Sequence, residues 1–212
     1  MIKVSNLTKK FAQHVSLDNV SCEFNKNESI ALMGANGAGK TTLIRSILGY
    51  YYPDSGKVSI DGFCPVKERV KVLQNISFVP QLPPPIKLNI QELMQYVCMS
   101  TDIDKELIEY YSNEMKLDIK ANLYKSFFKL SGGMKQKLLI AISLAKKSSI
   151  IIYDEPTANL DPKARDDFYR LLKQNEDEKV LLFVTHRLEE VQGLVNRQIY
   201  MDMGKVVADE RV

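Results

Sequence analysis

The chain has 212 residues, of which 45% are hydrophobic and 26% charged. This length suits one well-buried domain, and the balance is that of an ordinary globular protein. The formal net charge of +3 is too small to indicate a nucleic-acid or anionic-membrane partner by itself, so a solvated surface is the simplest interpretation of the Lys and Arg residues.

The cysteines and the apolar runs indicate in which cellular compartment the chain is expected. Cys22, Cys64 and Cys98 are widely spaced, which argues against a disulfide framework or a thiolate zinc site and favours a reducing cytosol. The longest apolar runs, 150–153 and 180–184, fall far short of the roughly 20 residues of a membrane helix. The first residues lack the apolar core of a signal peptide. We therefore expect a cytoplasmic chain that does not cross a bilayer unaided.

Short apolar runs alternate with longer helical stretches, which predicts an α/β protein with a mainly parallel sheet. The predicted buried strands are 29–33, 76–79, 150–153 and 180–185, with a helix at 40–48. More exposed β structure is predicted at 2–24, at 57–61 and in a terminal hairpin at 198–208.

Pro83, Pro84 and Pro85 interrupt this pattern, because proline cannot donate to a strand ladder and favours extended neighbours. From there to Phe128 the pattern is largely helical. We predict a single domain, 1–212, with a helical subdomain at about 86–129 inserted into its core.

A glycine-rich segment follows the first buried strand and fits G-x-x-x-x-G-K-[ST], a loop that wraps nucleotide phosphates. Its residues are Gly34, Ala35, Asn36, Gly37, Ala38, Gly39, Lys40, Thr41 and Thr42. The glycines let successive N–H groups point at an anion, and the following helix presents its positive dipole end. Lys40 would contact the β- and γ-phosphates and Thr41 would ligate Mg²⁺. The alternative is a chance glycine-rich turn, which the predicted strand before the segment and the predicted helix after it disfavour.

Asp154 and Glu155 end a buried strand, where open α/β sheets bind their ligands. Residues adjacent on a strand point to opposite faces, so the two carboxylates need not share a role. An exposed acidic turn before Pro156 is the alternative when this pair is considered alone.

A second glycine-containing segment precedes the apolar run 138–145 and consists of Leu130, Ser131, Gly132, Gly133 and Met134. Ser131 suits a helix N-cap, and the glycine pair would allow a phosphate to approach the backbone. These residues alone are equally compatible with two interpretations. The segment is either a capped helix start that binds no ligand, or a helix start that contacts a phosphate.

Together, these segments resemble the ATP-binding cassette (ABC) family, whose signature sequence is Leu-Ser-Gly-Gly-Gln. The resemblance implies a P-loop NTPase fold with a mainly parallel core sheet, an N-terminal antiparallel β subdomain and an inserted helical subdomain. It makes Asp154 the Mg²⁺-holding residue and Glu155 the base that polarises the attacking water. Ser131–Gly133 would contact the γ-phosphate held by a partner's glycine-rich loop. Met134 departs from the usual Gln, which puts in doubt any role for that side chain.

Four further residues match single positions of the family. Phe11 lies at the adenine-stacking position, although a lone Phe more often belongs to a core. Gln81 matches the glutamine that senses Mg²⁺ and water and links to the helical arm. Asp161 matches a cross-dimer contact, with a simple Asp-Pro turn as the alternative. His186 matches the switch histidine that hydrogen-bonds the γ-phosphate and positions the catalytic carboxylate.

The resemblance implies an ATPase that uses ATP and Mg²⁺. Two copies, or this chain and a related cassette, would dimerise on binding ATP and drive separate integral membrane permease subunits from the inner face of the membrane. The wording Ser131-Gly-Gly-Met-Lys-Gln136 is similar to export-type and membrane-assembly systems. No basic stripe indicates nucleic acid.

Two other functions compete with transport. An iron–sulfur cluster assembly ATPase of the same family is compatible with this length. A P-loop kinase or GTPase would use the glycine-rich loop but leave Ser131–Gly133 and His186 without a role. The eight methionines form no convincing ligand set with His or Cys, which disfavours metal transfer.

Overall fold

The computed structural model describes residues 1–175 and 179–212. These residues form two compact units, the first covering 1–76, 149–154 and 179–212, and the second covering 77–148 and 155–175. In the described residues, no helix is long and apolar enough to span a membrane.

The first unit contains a three-stranded antiparallel sheet in the order β2-β1-β4. Its strands are β1 (Ile2–Phe11), β2 (His14–Phe24) and β4 (Ser55–Ile60). Apolar residues recur along one face and are buried, Ile2, Leu7 and Leu17 completely. The predicted N-terminal β structure is therefore confirmed, but one face of it contributes to the core rather than to the exposed surface.

The core sheet has the order β5-β6-β7-β3-β8-β9, and β5 enters the first unit only through Ile76. The strands are β3 (Glu28–Met33), β5 (Ile76–Val79), β6 (Ile150–Asp154), β7 (Val180–Val184), β8 (Arg197–Asp202) and β9 (Lys205–Arg211). Strand β3 is parallel to both β7 and β8, β6 is parallel to β7, and β9 closes an antiparallel hairpin with β8. The mainly parallel core and the terminal hairpin are confirmed.

Three helices accompany these strands in the first unit: α1 (Lys40–Ile47), α2 (Arg69–Gln74) and the short α7 (Leu188–Val191). The predicted strands 150–153 and 180–185 are buried along their lengths, as expected for strands covered on both faces. Tyr153 and Phe183, which are paired in register, stack with ring centroids 5.6 Å apart.

The second unit is mostly helical, with α3 (Ile90–Thr101), α4 (Lys105–Glu114), α5 (Gly132–Ala145) and α6 (Pro162–Lys173). Helix α3 begins at a capping box, in which Asn89 and Glu92 each accept a backbone N–H of the other. Helices α3 and α4 and two 3₁₀ turns lie within 86–129, but this compact unit also contains α5 and α6. The boundaries of a helical subdomain thus stay a prediction.

Candidate functional site

The loop between β3 and α1 owes its shape to glycine. Gly34, Gly37 and Gly39 have φ values of 142°, 85° and 102°, which disfavour residues with a Cβ. A Cβ at Gly34 would overlap the carbonyl oxygen of Met201, and one at Gly39 would lie 2.6 Å from that of Ser16. A Cβ at Gly37 would meet no heavy atom within 4 Å, so the middle of the loop faces open space.

Lys40, the first residue of α1, reaches back into this loop. Its Nζ donates to the carbonyl oxygens of Gly34 at 2.6 Å and Ala35 at 3.0 Å, and the residue is only 8% exposed. These two hydrogen bonds hold the ammonium against the curve of the loop. A phosphate oxygen is a stronger partner for this charge, because a charge-assisted hydrogen bond is about twice as strong as a neutral one.

Contacts from distant parts of the first unit brace the loop. The N–H of Gly204, in the turn between β8 and β9, donates to the carbonyl of Ala38 at 3.1 Å, and the carbonyl of Gly204 accepts from Asp18 at 2.9 Å. The hydroxyls of Ser16 and Thr42 are hydrogen-bonded at 2.7 Å. Thr41 is exposed, so the two threonines predicted at the site differ in their surroundings.

Three adjacent parallel strands bring their carboxyl ends to one edge of the core sheet. Asp154 of β6 is in register with Val184 of β7, and Val184 with Leu32 of β3. Beyond this row, Gly34 opens the loop on β3 and His186, which is exposed, follows β7. Because neighbouring strands are about 4.8 Å apart, Asp154 lies roughly 10 Å from β3, across a single strand.

A turn fixes the path of the chain after β7. The N–H of Thr185 donates to the carbonyl of Leu32 at 3.2 Å, and the buried Thr185 hydroxyl accepts from the N–H of Arg187 at 3.0 Å. His186 lies between these two anchored residues. Its backbone position is therefore set by the sheet, although its side chain is at the surface.

The oxygen donors at this edge fit Mg²⁺. This ion prefers oxygen ligands, and at phosphate sites it uses one or two protein groups together with phosphate oxygens and water. The hydroxyl of Thr41 and the carboxylate of Asp154 are of this kind and belong to the same unit. Neither is a soft sulfur or nitrogen donor of the type that selects zinc or copper.

Phe11 is 41% exposed at the end of β1, where it pairs with His14. The interpretation of this lone Phe as a core residue is therefore wrong. Its ring forms a T-shaped pair with that of Tyr51 at a centroid distance of 5.1 Å, and the ammonium of Lys9 lies 5.5 Å from its centroid. Tyr51 has no motif around it and sequence reasoning missed it. An exposed, oriented ring is able to stack on a planar base.

In the second unit, Glu155 follows the last residue of β6 and adopts a left-handed φ of 48°. Strand β6 ends at Asp154, so strand alternation no longer governs where the Glu155 side chain points. A left-handed backbone costs a non-glycine residue about 1 kcal/mol or more, and such strain concentrates at functional sites.

Gln81 is exposed in the loop after β5, and its neighbours tie this loop to two other segments of the second unit. The Gln81 carbonyl accepts from Asn159 Nδ2 at 3.5 Å, and the Pro80 carbonyl accepts from Gln136 Nε2 at 3.5 Å. Gln136 is fully buried, and its Oε1 has no hydrogen-bond partner among the described residues. Asn159 and Gln136 lie in segments that the sequence analysis considered, but these hydrogen bonds were not predicted, since residue type and spacing do not show which carbonyl an amide contacts.

The start of α5 is an exposed helix end. Ser131 Oγ accepts from the N–H of Met134 at 3.2 Å, so Ser131 is the N-cap, while Leu130 before it is buried. A Cβ at Gly133 would lie 3.0 Å from the carbonyl of Asn159. The cap uses only the backbone N–H of residue 134, which Met supplies as well as Gln does. The phosphate contact predicted for Ser131–Gly133 stays a prediction.

Asp161 caps α6. Its Oδ1 accepts from the N–H of Ala164 at 3.0 Å, and Pro162 occupies the first turn. This backbone hydrogen bond lowers the pKa of Asp161 below its usual range, with a smaller contribution from Lys137, whose Nζ is 3.9 Å from Oδ2. Asp161 therefore has a structural role within its own chain beside the cross-dimer contact predicted for it.

Comparisons with known proteins assign the family. The family model described as "ABC transporter" matches residues 17–158. The chain is 34% identical to the energy-coupling factor transporter ATP-binding protein EcfA2 of Clostridium tetani, over 98% of this chain and 78% of that one. It is 32% identical to the linearmycin resistance ATP-binding protein LnrL of Bacillus subtilis, over 98% of this chain and 68% of that one.

Solved structures agree with this match. The dimeric structure of the bacterial ABC transporter cassette MJ0796 superposes with a TM-score of 0.85 at 27% identity, covering 100% of this chain and 98% of that one. The post-hydrolysis structure of the same cassette, bound to ADP and Pi, has a TM-score of 0.84 at 26% identity and the same coverage.

The chain belongs to the ABC transporter family. Within that family it is an ATP-binding subunit, and its activity is ATP hydrolysis.

Proposed function

We propose that this chain hydrolyses ATP as half of a cassette dimer and drives a separate permease of an export-type or membrane-assembly system. The dimer contains two copies of this chain, or this chain and a related cassette, at the cytoplasmic face of the membrane. The observation that carries the proposal is that Asp154, Val184 and Leu32 lie in one row across three adjacent strands. The Asp154 carboxylate, the histidine that follows β7 and the phosphate-binding loop that follows β3 therefore lie at the same edge of the sheet.

Binding begins with the braced loop. The N–H groups of Gly34–Thr42 and the start of α1 donate to the phosphate oxygens, and Lys40 exchanges the carbonyl oxygens of Gly34 and Ala35 for phosphate oxygens. Phe11 stacks on the adenine. Thr41 and Asp154, with Gln81, would hold Mg²⁺, which neutralises charge on the phosphate oxygens when bound.

Hydrolysis needs a base and stabilisation of the transferring phosphoryl group. Glu155 takes the proton of the attacking water while the bond between the γ-phosphorus and the β–γ bridging oxygen breaks, giving ADP and phosphate. His186 hydrogen-bonds the γ-phosphate and holds Glu155 in position. Lys40 stabilises the charge that develops on the leaving oxygen.

Dimerisation completes each site. The signature segment, with Leu130, Ser131, Gly132, Gly133 and Met134, contacts the γ-phosphate held by the partner's loop, and Asp161 lies at the same interface. The exposure of Ser131 and Gly132 supports this role, since both must meet a second chain. The dimeric relative at 27% identity supports it too. ATP then stabilises the closed dimer, and hydrolysis shifts the population back to the open one.

The permease is expected to dock on Gln81 and the helical arm at about 86–129 of the single domain 1–212. The wording from Ser131 to Gln136 favours an export-type or membrane-assembly system. The relative EcfA2 described above is a transporter ATP-binding protein, which supports transport over iron–sulfur assembly.

The sharpest test is Glu155→Gln. The variant loses its base but keeps every phosphate contact, so we expect ATP hydrolysis to be abolished, ATP to be retained and a dimer to accumulate. Light scattering with MgATP measures the dimer, with Glu210→Gln on β9 as an exposed control. A Glu155→Gln protein that stays monomeric with MgATP would contradict the proposal.

Transport is tested separately by partner capture. Photocrosslinkers placed in 86–129 should capture an integral membrane protein, and co-purification from membranes should recover the same partner. Capture of soluble proteins alone would contradict the transport assignment but not the assignment of ATP hydrolysis.

A further inference from the structure

A cluster of lysines and exposed apolar side chains lies on the second unit, in the arm at 86–129 and at the start of α5. We call it the lysine–aromatic patch and define it by Leu88, Tyr124, Lys125, Phe128, Lys129 and Lys135. Tyr124 is 82% exposed and Phe128 is 68% exposed. Side chains of this size are usually turned inward, and a group of them among lysines calls for an explanation.

The backbone brings the two parts of the patch together. The N–H of Phe127 donates to the carbonyl of Leu88 at 2.9 Å, and the N–H of Ile90 donates to that of Lys125 at 3.1 Å. Phe127 and Ile90 are fully buried beneath these bonds. The irregular segment 123–129 is therefore anchored to the start of α3, and its exposed residues are held in place rather than loosely tethered.

The charge of the patch is one-sided. Lys125 and Lys129 are exposed, and within 1–175 and 179–212 neither ammonium lies within 4.0 Å of a carboxylate. The ammonium of Lys135 lies 5.3 Å from the centroid of the Phe128 ring. Glu92, on the adjoining first turn of α3, uses its carboxylate to accept the N–H of Asn89.

We propose that the lysine–aromatic patch binds the surface of an anionic phospholipid membrane. Lysines next to a membrane gain about fivefold in binding each from anionic headgroups. Tyrosine prefers the headgroup region, where its ring is apolar and its hydroxyl is wet, and a protruding Phe can enter the boundary of the acyl chains. The chemistry of the patch, several cations around two aromatic rings, matches that interface. The contact is additional to the permease docking proposed above, and it does not depend on it.

Sedimentation with protein-free vesicles tests the proposal on the purified full chain. We expect the chain to bind phosphatidylcholine vesicles only when they contain phosphatidylglycerol, and to be released as salt rises, because salt screens exposed charges. Lys125→Gln with Lys129→Gln should lower the partition coefficient about 25-fold, from about fivefold per lysine. Phe128→Ala should lower it about tenfold without changing the net charge.

The matched control removes two exposed lysines elsewhere, Lys26→Gln with Lys173→Gln, and leaves the same net charge. It should bind vesicles like the parent chain, and ATP binding by every variant reports correct folding. Equal loss in the control would overturn the proposal in favour of general electrostatics. Absence of binding to phosphatidylglycerol vesicles would also overturn it.

A protein partner gives a third result. If the patch variants bind vesicles normally but lose the permease on co-purification, the patch serves an acidic protein surface and the lipid proposal is wrong. Because the vesicles contain no permease, failure of this proposal leaves the permease proposal untouched.

Discussion

The two segments predicted to handle phosphate, Gly34–Thr42 and Ser131–Gly133, are built in opposite ways. The first is a braced loop: Lys40 is nearly buried within it, and Gly34 and Gly39 pack against backbone from β8 and β2. The second is an exposed helix end with a serine cap. A loop that must surround an anion needs its shape fixed by its own unit, whereas a contact made across a dimer must stay open to solvent until the partner arrives.

The largest expected effect comes from removing the loop's internal cation. Lys40→Ala should reduce kcat about 10²- to 10³-fold, because a preorganised charge at the transferring phosphate is lost. ATPase assays and fluorescent-nucleotide binding measure the two consequences. Lys57→Ala, an exposed lysine on β4, is the control. A Lys40→Ala protein with nearly parental activity would mean that the loop does not hold the reacting phosphate.

Packing around the loop is tested by a pair of glycine substitutions. Gly34→Ala forces a Cβ onto the Met201 carbonyl and should lower the free energy of unfolding by about 3 kcal/mol or more. Gly37→Ala meets no neighbour and should cost only the left-handed strain, about 1 kcal/mol. Urea denaturation measures both. Equal losses would show that backbone strain alone, and not packing against β8, sets the shape of the loop.

Substitution of Ser131 in the exposed segment should have a smaller effect on ATPase activity than substitution of Lys40. Ser131→Ala removes a helix cap, which costs about 1 kcal/mol of stability. If Ser131 also contacts the partner's phosphate, ATPase activity should fall about tenfold or more while ATP binding by the monomer stays unchanged.

Asp104→Ala provides the matched control for Ser131→Ala. Asp104 caps α4 by accepting the N–H of Glu106 at 3.0 Å, so its loss should cost similar stability without reducing ATPase activity. Equal ATPase losses in the two variants would show that Ser131 acts only as a helix cap and does not contact the partner's phosphate.

The smallest effect is a pH dependence at Asp161. The pKa of Asp161 is lowered in the folded chain, mainly by the backbone N–H of Ala164. The ionised carboxylate therefore stabilises the native state at pH values above the usual pKa of 3.8. That stabilisation is lost as pH falls through the lowered pKa. Asp161→Asn keeps the cap but cannot ionise, so its stability should approach that of the parent chain in acid. Thermal unfolding between neutral pH and pH about 3 measures the convergence. Parallel curves would exclude a lowered pKa.

Much of the fold could be predicted because local pattern and structure agree. The run 76–79 became β5 with the same bounds, and the strand, glycine-rich loop and helix at 29–48 formed in that order. Helix α2 was missed, since six residues give no clear period. The exposure of Phe11 was implied only by the family resemblance, because apolar character alone favours a core position.

The sequence by itself determined which chemistry is available: a glycine-rich loop with Lys40 and Thr41, adjacent carboxylates at Asp154 and Glu155, and a capping serine before two glycines. These depend on residue type and short spacing, which local backbone rules translate directly into structure. Only the tertiary structure decided that Asp154, Val184 and Leu32 share a row, and that Met201 and Ser16 close on the loop. Such contacts join residues far apart in the chain, and strand order and packing, rather than spacing, bring them together.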